Sequence, residues 1–306
     1  MGAARRFWDA LPPSSRGIAC MVVASMSFAV LHVLIRYLSD DVHPIQMMFF
    51  RNLFGLVMFA PWLLSHGRAA FRTDRLPMHV LRSVLNVVAM FMFFTALSLT
   101  PVARATALAF TAPIFAALMS IVILREKFRI RRWVALLCGF AGTLMILRPG
   151  ILTIDLGAML VLGSSLMWGV TLIVIKTLAR TESSLTITAY MNLLLALFAF
   201  VPTLFVWTTP STVVWFWLVV IGISGTFAQM ALAQAFRETD ASTVLPFDFL
   251  KLIWTASLGY LLFAETIDIF VWLGAAIVLG SSIYLAYREA QLSGAPIIAQ
   301  SNGRPT

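Results

Sequence analysis

The stretch SMSFAVLHVLIR, from Ser25 to Arg36, returns in the second half of the chain as SLMWGVTLIVIK, from Ser165 to Lys176. Laying Gly17 to Asn52 over Gly157 to Asn192 puts Asn52 on Asn192. After one residue of slippage, Glu126 and Trp133 in REKFRIRRW fall on Glu265 and Trp272 in AETIDIFVW. Each half reads as five apolar spans. Five is odd, so the second half must enter a bilayer from the face opposite to the first. The expected fold is all-α: a polytopic membrane protein with ten transmembrane helices arranged as two inverted five-helix repeats. Inverted repeats build alternating-access carriers, with the site between the halves.

Composition agrees with a membrane solvent. Of 306 residues, 60% are hydrophobic and 11% charged, with a mean hydropathy of +0.92. Soluble domains carry about 25% charged residues. Crossing about 30 Å of hydrocarbon takes about 20 residues. Spans are expected at 17–37, 45–65, 79–99, 102–124, 132–148, 156–177, 185–207, 212–235, 241–264 and 268–287. The chain then divides into a cytoplasmic N-terminal segment (1–16), a first repeat (17–150), a second repeat (151–287) and a disordered cytoplasmic tail (288–306).

The net charge is +9. With the N-terminus in the cytoplasm, 17 of the 22 Lys and Arg fall on that side. Arg36, Arg51, Arg104, Arg148 and Lys251 are left at outer ends or within the membrane. Short loops with this bias set orientation, so both termini are expected in the cytoplasm. A nucleic-acid binder would gather its charge on one folded face, and no nucleic-acid partner is expected. Cys20 and Cys138 lie inside spans and imply no disulfide framework. The first apolar run is too long for a signal-peptide core and lacks a small-residue cleavage site, so it is read as retained.

No Walker loop, G-x-S-x-G elbow, H-E-x-x-H or Cys/His metal spacing occurs. Catalytic residues, metal ligands and cofactors are not expected. The chemistry-bearing residues are instead polar groups inside spans. Asp248 and Lys251, in LPFDFLKLIW, sit three apart and so share one helical face. Two roles fit them: an ion pair that fixes packing, or a counter-charge for a substrate anion with Asp248 tuning it or binding a proton. A charge at mid-membrane costs about 2.5–3.5 kcal/mol on insertion scales, so it is usually paired or faces water. His32 could relay protons or be a satisfied core histidine. Its repeat partner is Leu172. Asn86, Gln229 and Gln234 are amides that must find partners or line a wet cavity. Gln229 faces Met90 under the repeat, and Trp168 faces Phe28. Trp168 fits either an aromatic wall or plain packing. Pro113 and Pro246 lie within spans four and nine and can kink them.

The residues resemble the drug/metabolite transporter superfamily in its ten-span form with two EamA-type repeats. The motifs that carry the resemblance are SFAVLHVLIR with its copy MWGVTLIVIK, and ARATALAFTAPIFAALMSIVILREKF with Pro113 and Glu126. GFAGTLMILRPG and LPFDFLKLIWTASLGYLLFAE complete the set, covering about residues 17–287. Relatives of this kind carry amino acids, drugs, riboflavin, S-adenosylmethionine and nucleotide-sugar-like compounds. The resemblance implies a central cavity framed by spans one, three, four, six, eight and nine. It places His32, Asn86, Thr111, Trp168, Gln229, Asp248 and Lys251 on those spans as substrate-site candidates. Span nine departs from the first repeat, where Ala109 and Ala112 stand for Asp248 and Lys251. The family's second-repeat proline near Leu252 is also absent.

The expected function is secondary transport of a small polar or zwitterionic metabolite in the bacterial inner membrane. Its partners would be that small molecule, the lipid bilayer and, as a candidate coupling ion, protons. A membrane-embedded enzyme would need clustered catalytic side chains at one membrane face. A scaffold or receptor would need no buried charges along a wet path.

Overall fold

The computed structural model describes residues 11–60, 73–112, 114–116, 118–119, 130–147, 155–178, 182, 184–238, 244, 247–248 and 250–293. Among them the regular structure is helical throughout. Ten helices follow in order: α1 (Pro13–Tyr37), α2 (Pro44–Met58), α3 (Leu76–Leu99), α4 (Val102–Ala109) and α5 (Ile130–Leu147), then α6 (Leu156–Leu178), α7 (Ser184–Phe205), α8 (Thr212–Glu238), α9 (Leu250–Phe263) and α10 (Ile269–Ser293). Five segments, in α1, α3, α6, α7 and α8, are long and apolar enough to cross a membrane, and shorter apolar helices lie between and after them.

Local chemistry sets the helix starts. Proline occupies the first turn of α1, α2 and α3, where a missing N–H leaves nothing unsatisfied. Elsewhere a side chain caps the start. Asp155 Oδ1 accepts from the Ala158 amide at 2.6 Å, Ser211 Oγ from Val214 at 3.4 Å and Asp268 Oδ1 from Phe270 at 3.0 Å.

The bounds differ from the expected spans at informative places. α1 begins at Pro13, inside the expected N-terminal segment, and α10 continues to Ser293, past the expected start of a disordered tail. α4 breaks at Phe110 and Thr111, whose amides reach back only three residues to the carbonyls of Ala107 and Leu108. Helical residues resume at Ala112. The next residue in the sequence is a proline, which has no N–H for the Ala109 carbonyl. Pro113 and Pro246 themselves, and residues 61–65 of the second expected span, lie outside the described residues.

The packing is symmetric under exchange of the halves. α1 lies along α8 as α3 lies along α6; α9 meets α1 as α4 meets α6; α2 meets α8 as α7 meets α3. α2–α7, α4–α9 and α5–α10 map onto themselves. The copy is upside down. Arg36, at the end of α1, donates to the Ser98 carbonyl at the end of α3. A Cβ on Gly157, at the start of α6, would come within 2.9 Å of Thr100 Cβ just past α3. So α1 and α3 finish on the face where α6 begins, and α6 runs against its repeat mate.

Helices in lipid associate through close packing rather than apolar burial. The α5–α10 crossing shows how. A Cβ on Gly142 would lie 2.8 Å from the Gly274 carbonyl oxygen, and one on Gly274 would lie 2.6 Å from that of Gly142. Backbone meets backbone there, so neither side can yield. Gly142→Val is therefore expected to destabilise the purified protein by about 1–3 kcal/mol, the usual scale of overpacking. Gly280, with nothing within 4 Å of its Cβ position, is the control. Gly280→Ala should be neutral or stabilise by up to about 1 kcal/mol. Thermal unfolding in detergent checks both, and equal melting temperatures for the two variants would contradict the crossing.

Candidate functional site

Lys251 is the second residue of α9, Asp248 stands two residues before that helix, and the two face each other. Lys251 Nζ donates to both carboxylate oxygens, at 3.2 and 3.1 Å, and only 14% and 19% of the two side chains is exposed. The ammonium also stands 4.8 Å from the Phe110 ring centroid and 5.7 Å from that of Phe28. Aromatic faces attract a cation at these distances. At about 1.5 Å per residue, Lys251 lies about 18 Å along the helix from Phe263. That is close to mid-membrane.

Phe28 carries the cluster to α1, where its ring centroid is 6.3 Å from that of His32. His32 is buried, edge-on to Phe93 of α3 at 4.9 Å, with Nδ1 3.4 Å from Thr106 Oγ1 of α4. It stands five residues from the end of α1, in the outer third of that helix rather than at its centre. Phe93 in turn packs on Trp168 of α6 at 5.1 Å. His32 of α1, Trp168 of α6, and Asp248 and Lys251 at the start of α9 are thus drawn into one polar–aromatic cluster from both repeats. Thr111 is buried beside Phe110 at the α4 break, and its hydroxyl is spent on the Leu108 carbonyl at 2.7 Å. Asn86 is buried on α3, one turn before Met90 and two before Phe93 on the same face. Gln229 is half-buried on α8, and no described contact joins it to the cluster.

Arg51 belongs in this neighbourhood and was left unassigned by sequence reasoning. Its residue is 5% exposed, in the middle of α2. Its Nη1 donates to Asn52 Oδ1 at 3.2 Å and approaches Met90 Sδ at 3.8 Å. Met90 is one turn from Phe93, so the guanidinium reaches the wall against which His32 packs. The signal was an arginine in the apolar run MMFFRNLFGLVM. An ionisable residue inside a span rarely faces lipid. Arg82 was assigned to the cytoplasmic charge but is buried: its Nη1 donates to the Ile187 carbonyl at 2.8 Å, clamping α3 to α7.

Polar ties join the halves above and below. On the face where α1 ends, Arg36 Nε lies 3.9 Å from Glu265 Oε1, and Glu265 Oε2 accepts from the Val102 amide at 3.0 Å. Glu265 is aimed by Ala264, whose φ of 53° closes α9 in the left-handed region. Beside it Arg104 Nη1 pairs with Asp155 Oδ2 at 2.7 Å. On the opposite face Arg16 Nε lies 3.6 Å from Glu238, and Thr73 donates to Glu182 at 2.6 Å.

Residues 15–148 and 155–287 each match the EamA-like transporter family. The chain belongs to that family. It is a polytopic membrane transporter built from two EamA repeats. It is 28% identical over 281 residues to the S-adenosylmethionine uptake transporter of Rickettsia prowazekii, spanning 92% of this chain and 96% of that protein. To the riboflavin transporter of Vibrio cholerae it is 31% identical over 283 residues, spanning 91% and 95%. A pseudopaline exporter of Pseudomonas aeruginosa is 25% identical over 275 residues, spanning 88% and 95%. One crystal structure shares the fold at a TM-score of 0.63 and 18% identity, covering 92% of this chain and 99% of that one.

Glu265 lies between α9 and α10, and its carboxyl is held above the usual range. Burial raises it, while the Val102 amide and Arg36 pull the other way. At 3.9 Å the arginine is at the long limit of an ion pair, so desolvation prevails. A carboxyl with a raised folded pKa contributes stability below its ordinary value of 4.5 and loses it as pH rises through the folded value. Glu265→Gln keeps an acceptor for Val102 and carries no titrating charge. Relative to this variant, the wild type is expected to lose melting temperature as pH rises from 4.5 towards neutrality. Parallel curves would remove the desolvated carboxyl from the account.

Proposed function

We propose that this transporter is a secondary carrier of the bacterial inner membrane, with both termini cytoplasmic. It moves a small polar or zwitterionic metabolite by alternating access between its two halves. The observation that carries this is the half-buried Lys251–Asp248 pair, its ammonium beside the rings of Phe28 and Phe110 from the other repeat. Such a pair is expensive in hydrocarbon, and facing a substrate path is one reason to keep it. The aromatic set of Phe28, Phe93, Phe110 and Trp168 suits a ligand with a planar part. S-adenosylmethionine and riboflavin, the compounds of the relatives, both have one, and amino acids are the smaller alternative.

The charge set also supports proton coupling. Asp248 is a carboxylate within the membrane with one partner, Lys251, and protonating it would free the ammonium for an anionic group. Whether flow is inward or outward then follows from the gradients, since either direction uses the same two ends of the path.

Purified protein in liposomes tests the proposal with a panel of S-adenosylmethionine, riboflavin and the amino acids, each with and without an imposed pH gradient. The wild type is expected to move at least one of them unaltered, faster with the gradient. Lys251→Ala should reduce uptake at least about tenfold, as loss of one charge-assisted contact of about 1.5–3 kcal/mol requires, while still inserting into the membrane. Full transport by Lys251→Ala would assign the pair to packing. A chemically altered solute would point to an enzyme instead.

A further inference from the structure

Two cations stand inside the membrane beside the central cluster, and only one has a carboxylate. Lys251 is neutralised by Asp248. Arg51 forms no ion pair among the described residues, although it is 5% exposed and cannot lose its proton at ordinary pH. Its acceptors are the Asn52 side-chain oxygen and a thioether, a weak acceptor. Its buried Nε has no hydrogen-bond partner among the described residues.

The surroundings supply a further orphaned donor, and no ion pair joins Arg51 to a carboxylate among the described residues. Asn192 Nδ2, 97% buried by its residue exposure of 3%, is likewise without a partner. It stands 3.2 Å from the Cβ position of Gly55, one turn along α2 from Arg51. The space is made by a missing side chain. A Cβ on Gly225 of α8 would lie 2.8 Å from Arg51 Nε. A glycine there lets the guanidinium lie flat against the helix with its Nε edge turned to the crossing. Two orphaned donors and one uncompensated positive charge describe a seat for an anion. The planar fork of arginine matches a carboxylate.

Resting on the carrier function proposed above, we propose that Arg51, in the slot left by Gly225, binds a carboxylate of the transported metabolite. Lys251 and Asp248 cancel, so the site is short of one negative charge, and a single carboxylate completes it. A neutral planar compound, or one whose only charge is positive, leaves the guanidinium unanswered. The substrate class is thereby narrowed to carboxylates, with amino acids and amino-acid-bearing cofactors favoured over neutral flavins.

The test compares matched probes that differ only in the acid group: amino acids against their methyl esters, and S-adenosylmethionine against its decarboxylated form. Binding is read as thermal stabilisation of the full chain in lipid nanodiscs, and transport as liposome uptake. The wild type should bind at least one acid about tenfold or more tightly than its partner without the acid. Arg51→Gln should erase that preference, leaving affinity for esters within about twofold; Arg51→Lys, which keeps the charge without the fork, should retain part of it. If Arg51→Gln fails to reach the membrane, Gly225→Ala decides, since crowding Nε should cut acid binding while sparing esters. Equal loss of acids and esters, or an unchanged preference, overturns the anion seat. A carrier that moves riboflavin and ignores the acid group keeps the transport function and overturns the seat. Acid-selective binding without uptake of any solute keeps the seat and overturns the transport function.

Discussion

Charge cannot be left alone in hydrocarbon, and that constraint organises this molecule. Among the described residues Arg16, Arg36 and Arg104 are each answered by a carboxylate from the second half of the chain, while Arg51 has none. Arg36 meets Glu265, and Arg104 meets Asp155. Arg16 meets Glu238 on the opposite face. Lys251 and Asp248 meet within one helix, but their shared surroundings are the rings of Phe28 and Phe110 from the other repeat. Pairing thus does for the seam what apolar burial does in a soluble core. Without water, the halves are matched by polar complementarity as well as by close-packed glycines such as Gly142 and Gly274.

The backbone is nearly symmetric and the site is not. Where the first repeat has His32, the second has Leu172; where the second has Asp248 and Lys251, the first has Ala109 and Ala112. Arg51 falls on Met191 under the same overlay. A symmetric scaffold is useful to a carrier because its two end states can be built from the same contacts. A symmetric pocket would be less useful, because metabolites with an acid group at one end and a planar part at the other are themselves asymmetric. Side chains at the seam differ between the repeats, while the helix pairings α1–α8 and α3–α6 remain equivalent.

Much of this was legible in the sequence. The overlay of Ser25–Arg36 on Ser165–Lys176 predicted an inverted pair of five-helix repeats, since hydropathy and odd counting need no knowledge of packing. Asp248 and Lys251 were visible as i, i+3 neighbours, and they do pair. Distance between elements was not visible. Nothing local says that Phe93, an ordinary core residue in an apolar run, joins His32 to Trp168. Arg51 was set apart from the topology charge but given no role, because its neighbour Gly225 lies on a helix far along the chain. Gln229 shows the converse, a conspicuous amide that the described contacts do not bring to the cluster. The break of α4 at Phe110 and Thr111 was foreshadowed by Pro113, yet its consequence, a ring placed under Lys251, is a tertiary fact.

The strengths of the contacts are graded along the membrane normal, and the gradient suits a carrier. At both faces the ties are long or partly exposed: 3.9 Å for Arg36–Glu265 and 3.6 Å for Arg16–Glu238. Pairs of this kind are worth about 0–1 kcal/mol each where water reaches a partner, as it does Arg16 and Arg36, 24% and 31% exposed. They can be exchanged for hydration at modest cost. The centre differs, because Lys251 and Asp248 have little access to water and a lone partner there would be stranded. A protein that opened at its middle would have to separate those charges. One that rocks at its ends trades those pairs for solvent, one face at a time, and gives up the central pair only in exchange for a proton or a substrate group.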